Sequence, residues 1–523
     1  MADRYYYKTK PYKHQVAALK KLISNGFGGA LLMEPRTGKT KVCIDYASIL
    51  NAAGKCDRVV VVCPVSVMDV WLQEIKTHCP AKYRITVWDK KARKTVPLPK
   101  FGQGYLDFVI INYDAFSAPG RIQGRGEEGE VLRARNQGGR YDVMKAFKDW
   151  QPHLIILDES HRIKSPSAKA ATSIVGMQWR KIPPTLQALH GSIGPQGIEG
   201  LVGLANYRVI ATGTAVTKQK RIFDLYMQWK FLNPGSALVA GHTATTFKAQ
   251  YGVFTSRNGY RQWLRNQNEM ELHRLVHEDS YAVTRAECFD LPKAFPPQIV
   301  HVPLEESARV YDEMAEEMVA KIESGEVTEA SIALVQSLRL CQITSGLART
   351  SPTEAYPEGR LVRIGQEKLR YLQEFLTDYF DQDEKVVICA RFRGDIVGIQ
   401  DLCRKLGVEP QLLVGGMKRH ERTDAIETFR KTQGKAAFVM NPQAGSLGID
   451  LRTASTMIWF SLTTSYVDYT QSLDRIALSD VACRFIYLLG KGTYDELLYD
   501  NLQKDGDVAK AIMKRPEVLL RRD

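Results

Sequence analysis

Gly38-Lys39-Thr40 follows an apolar run, and Asp158-Glu159-Ser160-His161 follows Leu154-Ile155-Ile156-Leu157 about 120 residues later. These types at these places point to nucleoside-triphosphate hydrolysis. Gly38 lets backbone N–H groups approach phosphates, Lys39 pairs with the β and γ oxygens, and Thr40 offers a hydroxyl to Mg2+ at a positive helix N-terminus. Asp158 is the second candidate magnesium ligand, and Glu159 is placed to orient and deprotonate water. A full phosphate loop carries glycine five positions before Gly38, where this chain has Met33. A lone Asp-Glu pair is more often a solvated strand end than a catalytic pair. Each segment therefore gains its meaning from the other.

Such groups need a sheet whose carboxyl edge presents them. Gly29 to Met33, Val59 to Cys63, Phe108 to Ile111, Leu154 to Leu157 and Tyr207 to Ala211 read as buried strands separated by helical patterns. A second series runs through Lys385 to Ala390, Gln411 to Val414, Ala436 to Met440, Thr456 to Phe460 and Arg484 to Leu488. The fold class expected is α/β, two tandem domains, each a mostly parallel sheet flanked by helices, with helical insertions. The expected division is residues 1–290 (insertions near 119–140 and 180–205, a helical segment at 222–285), a linker at 291–304, residues 305–490, and a helical basic tail at 491–523. Four prolines between Phe289 and Pro303 suit a connection, while Glu305 to Ser324 and Thr328 to Cys341 read as amphipathic helices. Glycine recurs at every third position in Gly191 to Gly203, too briefly for a triple helix, so a flexible surface insertion is expected there and no catalytic role.

The 523 residues suggest more than one domain, and 72 Lys plus Arg against 58 Asp plus Glu give +14, which favours a polyanionic partner or simply a solvated basic surface. Nine cysteines lie scattered without metal-ligand spacing, several inside apolar runs, which implies a reducing compartment. Met1 to Lys13 has no apolar signal region and no 18-residue apolar stretch occurs, so a soluble cytoplasmic protein is expected. Trp71, Trp88, Trp150 and Trp459 read as packing residues before base-stacking ones, and the basic tail Lys514 to Arg522 reads equally as a DNA contact or a solvated end.

With the ATGT of Ala211 to Thr214 these motifs fall in the order and spacing of superfamily 2 helicases. VVCPVSVMDVWLQEI (61 to 75), VIINYDAF (109 to 116), DLYMQWKFLNPG (224 to 235), VTRAECFDLP (283 to 292), ARFRGDI (390 to 396), VGGMKRHERTDAIETFR (414 to 430), NPQAGSLGIDLRTASTMIWF (441 to 460) and QSLDR (471 to 475) resemble the Swi/Snf-type branch. The resemblance covers roughly residues 10 to 500 and implies two RecA-like domains. It implies that Gln15 reads adenine, so that ATP is the nucleotide with Mg2+, and adds Arg36, Thr37, Gly448 and Asp450 to Gly38, Lys39 and Thr40 as ATP-binding positions. His161, Thr212, Gly213, Thr214 and Gln471 resemble coupling residues; Gly445, Gly448 and Asp450 sit where the second domain meets nucleic acid and nucleotide; Arg475 resembles an arginine finger.

The chain departs from the family at Leu478, in place of a second arginine, at Ala215, in place of proline, and at Arg36, in place of glycine. The first two changes point to slow DNA-stimulated turnover. What the resemblance implies is an ATP-dependent translocase on double-stranded or branched DNA, sequence-nonspecific and monomeric, similar in compactness to bacterial or viral members. A strand-separating helicase is the alternative, and a weakly active DNA-binding scaffold is the reading from another class. A metabolic kinase would carry one nucleotide domain, against the second motif-bearing half.

Overall fold

The structure is a computed structural model that describes residues 5–89, 92–100, 104–117, 140–178, 197–198, 200–213, 222–257, 260–289, 295–324, 330–350, 360–379, 384–445, 449–477 and 482–504. Thr214, Gly448, Leu478, the basic tail and most of the 119–140 and 191–203 segments lie outside the described residues. The chain divides into two units, Met1–Asp290 and Leu291–Asp523.

In the first unit the described strands are β1 (Gly28–Met33), β2 (Arg58–Cys63), β3 (Tyr83–Val87), β4 (Leu106–Asn112), β5 (Leu154–Asp158), a short ladder of β6 (Met177–Gln178) with β7 (Gly197–Ile198), β8 (Tyr207–Thr212), a hairpin of β9 (Gly252–Arg257) with β10 (Tyr260–Asn266), and β11 (Ser280–Val283). Seven of them form one sheet, in the order β11-β1-β8-β5-β2-β4-β3, with every pairing parallel. The runs are apolar on both faces because helices cover both. Val59 and Val61 join one buried cluster with Leu31, Ile44 and Trp71, while Val60 and Val62 join the other with Ile155, Ile210 and Trp229. Each such side chain contributes about 1.5–3 kcal/mol by leaving water.

The second unit repeats the plan. Its strands are β12 (Gln298–Val302), a hairpin of β13 (Leu347–Arg349) with β14 (Leu361–Arg363), β15 (Lys385–Cys389), β16 (Gln411–Leu413), β17 (Ala436–Met440), β18 (Thr456–Trp459) and β19 (Arg484–Gly490). Six of these form a parallel sheet in the order β12-β19-β18-β15-β17-β16. The expected α/β class, two mostly parallel sheets flanked by helices, is thus the observed one.

Four local expectations are corrected. The helical segment at 222–285 contains the β9–β10 hairpin and the edge strand β11, because GVFTSR and YRQWLRN are β-branched and aromatic. The 291–304 connection contains β12, which pairs with β19 and so belongs to the second sheet. The helix Tyr494–Lys504, placed by sequence in a tail, buries Leu498 and Leu502 in the core. At the end of the glycine-rich stretch Leu201 is fully buried beside an exposed Gly203, so that end is partly packed rather than wholly a surface insertion. Trp71, Trp88, Trp150 and Trp459 are all buried.

Candidate functional site

Strand order creates the site. β1, β8 and β5 are neighbours in register, Leu32 opposite Thr212 and Ala211 opposite Asp158, so three motifs emerge side by side at one carboxyl edge. They are the loop Glu34 to Gly38, Thr212-Gly213, and Asp158 to His161. Gly213 has room for no side chain, since a Cβ there would meet the Pro35 ring at 2.7 Å. The loop after β1 and the end of β8 therefore lie in contact.

The loop turns into the helix Lys39–Ala52 through Gly38, at φ 84° and ψ 33°. That left-handed backbone favours glycine, and a Cβ would lie 2.0 Å from the Gln15 amide nitrogen. Arg36 also holds a positive φ, 67°, at the place where the family has glycine. Holding a side chain there costs about 1–2 kcal/mol, strain of the kind found at ligand sites. The first N–H groups of the helix are directed at the loop mouth, where an anion is favoured. Lys39 Nζ donates to the carbonyls of Met33 (2.8 Å) and Glu34 (3.1 Å), which places an ammonium inside the loop. Thr37 is buried and its hydroxyl donates to Glu34 O (2.8 Å); Thr40 is half-buried.

Gln15 and His14 reach the loop from the helix Lys13–Ser24. His14 Nε2 (2.8 Å) and Gln15 Nε2 (3.2 Å) both donate to Thr37 O, and Gln15 Oε1 accepts from Tyr12 N (2.9 Å). The Gln15 amide is thus bound to the loop backbone, where the family resemblance pointed to adenine.

Asp158 ends β5 and is buried. Its Oδ2 accepts from Trp71 Nε1 (2.8 Å), its Oδ1 from Glu159 N (3.1 Å), and its carbonyl from Tyr113 Oη (2.8 Å). Burial, with the neighbouring Glu159 charge, pushes its pKa up to about 6, against the Trp71 hydrogen bond and Lys39. Glu159 lies in the left-handed region, φ 54° and ψ 52°. Thr212 Oγ1 donates to its Oε2 (3.4 Å), and His161 Nδ1 lies 3.3 Å from both that oxygen and Thr212 Oγ1. Ser160 is buried and donates to Gln228 Oε1 (2.6 Å), whose amide donates to Asp224 O (2.8 Å).

No group of three or more His, Cys, Asp or Glu able to hold a metal occurs among the described residues. Mg2+ does not need one, since it is commonly held by one or two protein oxygens together with substrate phosphates and water. A buried carboxylate at the end of β5, on the same sheet edge as the loop and helix start that carry the Thr40 hydroxyl, suits that cation.

In the second unit, Asp450 is held by a fork from Arg452 (Nη2 to Oδ2, 2.9 Å), and Arg430 Nε donates to its carbonyl (3.0 Å). Arg475 is buried, with Nη1 donating to Ile449 O (3.3 Å) in its own unit. Gln471 is buried on the helix Tyr466–Leu473, and Gly445 closes the short helix Pro442–Gly445.

Trp71, Tyr113, Gln228 and Glu34 escaped assignment to the site from sequence, although the first three lie in the quoted motifs. Met68, Trp71 and Ile75 have the spacing of a buried helix face, and only the β2–β5 pairing carries Trp71 to Asp158.

Residues 12–181 match the SNF2-related domain and residues 367–477 the helicase conserved C-terminal domain. The chain is 23% identical over 547 aligned positions to the human SWI/SNF-related matrix-associated actin-dependent regulator of chromatin subfamily A member 1, covering 99% of this chain and 44% of that protein. It is 22% identical over 482 positions to the Saccharomyces cerevisiae ISWI chromatin-remodeling complex ATPase ISW2, covering 88% and 37%. The chain thus spans less than half the length of these curated relatives. The Sulfolobus solfataricus SWI2/SNF2 ATPase core in complex with dsDNA aligns with 99% of this chain and 98% of its own, at 20% identity and a TM-score of 0.40. With both family domains present in sequence order, the chain belongs to the Swi/Snf-type ATPases of helicase superfamily 2.

Proposed function

We propose that this protein hydrolyses ATP with Mg2+ and uses the cycle to move along double-stranded or branched DNA, sequence-nonspecifically and as a monomer. The observation that carries the reading is the convergence of the Lys39 ammonium, the Asp158-Glu159 pair and Thr212 at the ends of three adjoining parallel strands.

The helix start at Lys39 and its ammonium receive the phosphates. Thr40 and Asp158 would hold the magnesium ion, which neutralises charge on the transferring phosphoryl group. Glu159 accepts the proton of the attacking water, and the hydroxyl of Thr212 and the ring of His161 fix its carboxylate. Arg475 serves as the arginine finger after its guanidinium leaves the Ile449 carbonyl, so hydrolysis waits on a rearrangement in the second unit. The net charge of +14 suits a phosphate backbone, and binding should weaken steeply with salt.

The deciding experiment compares steady-state phosphate release with no nucleic acid, single-stranded DNA, duplex DNA, branched DNA and RNA, followed by triplex displacement and fork unwinding. Stimulation by duplex or branched DNA with triplex displacement and intact forks is expected. ATP-dependent release of a fork strand would make the protein a helicase, and DNA binding with no turnover would make it a scaffold.

A further inference from the structure

The chain that leaves the first unit does so along the phosphate loop. β11 pairs with β1 up to Met33 opposite Val283, and Glu34 N then donates to Val283 O (3.1 Å). The Glu34 carboxylate turns towards the next residues and accepts, on Oε2, from both Arg285 N (2.9 Å) and Arg285 Nε (3.2 Å). Thr284 and Glu287 close a capping box around this turn, Thr284 N donating to Glu287 Oε2 (2.7 Å). Phe289 packs edge-on against Tyr12 (5.3 Å between ring centres) and His14 (5.5 Å). His14 is one of the two side chains that donate to Thr37 O. The first unit ends one residue after Phe289, at Asp290.

Both ends of the loop are thus held by the same seven-residue segment, Glu34 by Arg285 and Thr37 through His14 by Phe289. The carbonyls of Met33 and Glu34 are also the acceptors of the Lys39 ammonium, so the shape of the loop and the position of its lysine depend on one another. We propose that Arg285 and Phe289 are positioning residues for the phosphate loop, so that affinity for a nucleoside triphosphate is linked to docking of the segment that enters the second unit. This rests on the reading of residues 34 to 40 as a phosphate site. It gives displacement of the chain at Asp290 a route to the nucleotide separate from Arg475. Linkage is reciprocal, so bound nucleotide must hold the segment more firmly.

The test measures equilibrium binding of a fluorescent ATP analogue and of ADP to the full chain, as wild type, Arg285→Ala, Arg285→Lys, Glu34→Ala, the Glu34→Ala/Arg285→Ala double variant and Phe289→Ala. Loss of a half-exposed charge-assisted contact should weaken nucleotide binding about three- to tenfold in Arg285→Ala, with kcat at saturating ATP within about twofold of wild type. Glu34→Ala should be at least as weak because it loses both hydrogen bonds. The double variant should be no weaker than Glu34→Ala, since the two act through one contact, and Arg285→Lys should recover part of the loss. Amide exchange in 283–289 of the wild type should slow when the analogue binds, a readout that does not depend on any variant folding. Wild-type affinity in Arg285→Ala and Phe289→Ala, additive losses in the double variant, or exchange in 283–289 indifferent to nucleotide would each overturn the proposal. Normal DNA-stimulated turnover together with any of those results leaves the proposed function standing; nucleotide linkage without DNA-stimulated turnover does the reverse.

Discussion

Asp158 in the first unit and Asp395 in the second are both buried carboxylates, pushed up by burial to about 6 and about 7. Burial alone therefore does not mark a reactive acid. Asp158 stands at the open end of β5, with Trp71 donating to one oxygen, Glu159 N to the other, and the phosphate loop two strands away. Asp395 lies in the first turn of the helix Arg393–Lys405 and accepts from Ser461 Oγ (2.7 Å). Nearby, Lys368 pairs with Asp495 at 2.6 Å and donates to Phe460 O, while Thr344 Oγ1 donates to Asp495 Oδ1. That cluster ties helices to the second sheet. Asp158 stands at the strand edge where the phosphates are proposed to bind, whereas Asp395 lies beside an internal fastening.

Substitutions should separate the two roles. Glu159→Gln should lower kcat by about 10²–10⁴, the range for a positioned general base, with nucleotide still bound; single-turnover kinetics and analogue binding check it. Lys368→Met should cost about 3–5 kcal/mol of stability by leaving Asp495 buried and unpaired. Denaturant unfolding would show this, and turnover measured below the melting temperature should persist. A Lys368→Met protein that is stable but inactive would break the comparison.

Trp71→Phe falls between these extremes. It removes a donor from the buried carboxylate proposed to hold Mg2+, and outer-shell changes of this kind weaken metal binding about 10–100-fold. The apparent Mg2+ requirement for nucleotide binding should rise accordingly. Loss of that donor should also move the acid limb of kcat/KM for ATP, expected near the raised Asp158 value, to higher pH.

The smallest effect concerns pH and stability. Asp395 releases its proton near 3.8 when unfolded and near 7 when folded, so between these values the folded chain binds more protons and stability falls as pH rises. The loss amounts to at most a few kcal/mol and is complete above pH 7. Asp395→Asn should therefore gain on wild type in thermal unfolding as pH rises from about 4 to about 7. A difference that stays constant across that range would contradict the assignment.

Much of this was legible in the chain because buried parallel strands are written as β-branched runs, and Gly38-Lys39-Thr40 and Asp158-Glu159 bring their chemistry in their residue types. Edge strands were not: Tyr83–Val87 is half-buried along its length, and Gln298–Val302 hides among prolines. Contacts between motifs were not legible either. Nothing in the sequence places the indole of Trp71 against Asp158, the carboxylate of Glu34 against Arg285, or the Gln15 amide against Thr37, because each depends on which strands are neighbours. Arg475 is the converse case. Its motif was readable, but its burial against Ile449 depends on how the chain turns after Gln471.

The central claim is that the carboxyl edge of β1, β8 and β5 forms an ATP-hydrolysing site under the control of DNA. Steady-state phosphate release by wild type and by Glu159→Gln, each with and without duplex DNA, tests it most directly. The account predicts that DNA accelerates the wild type and leaves the variant near background. Wild-type release no faster than that of Glu159→Gln in the presence of DNA would contradict it.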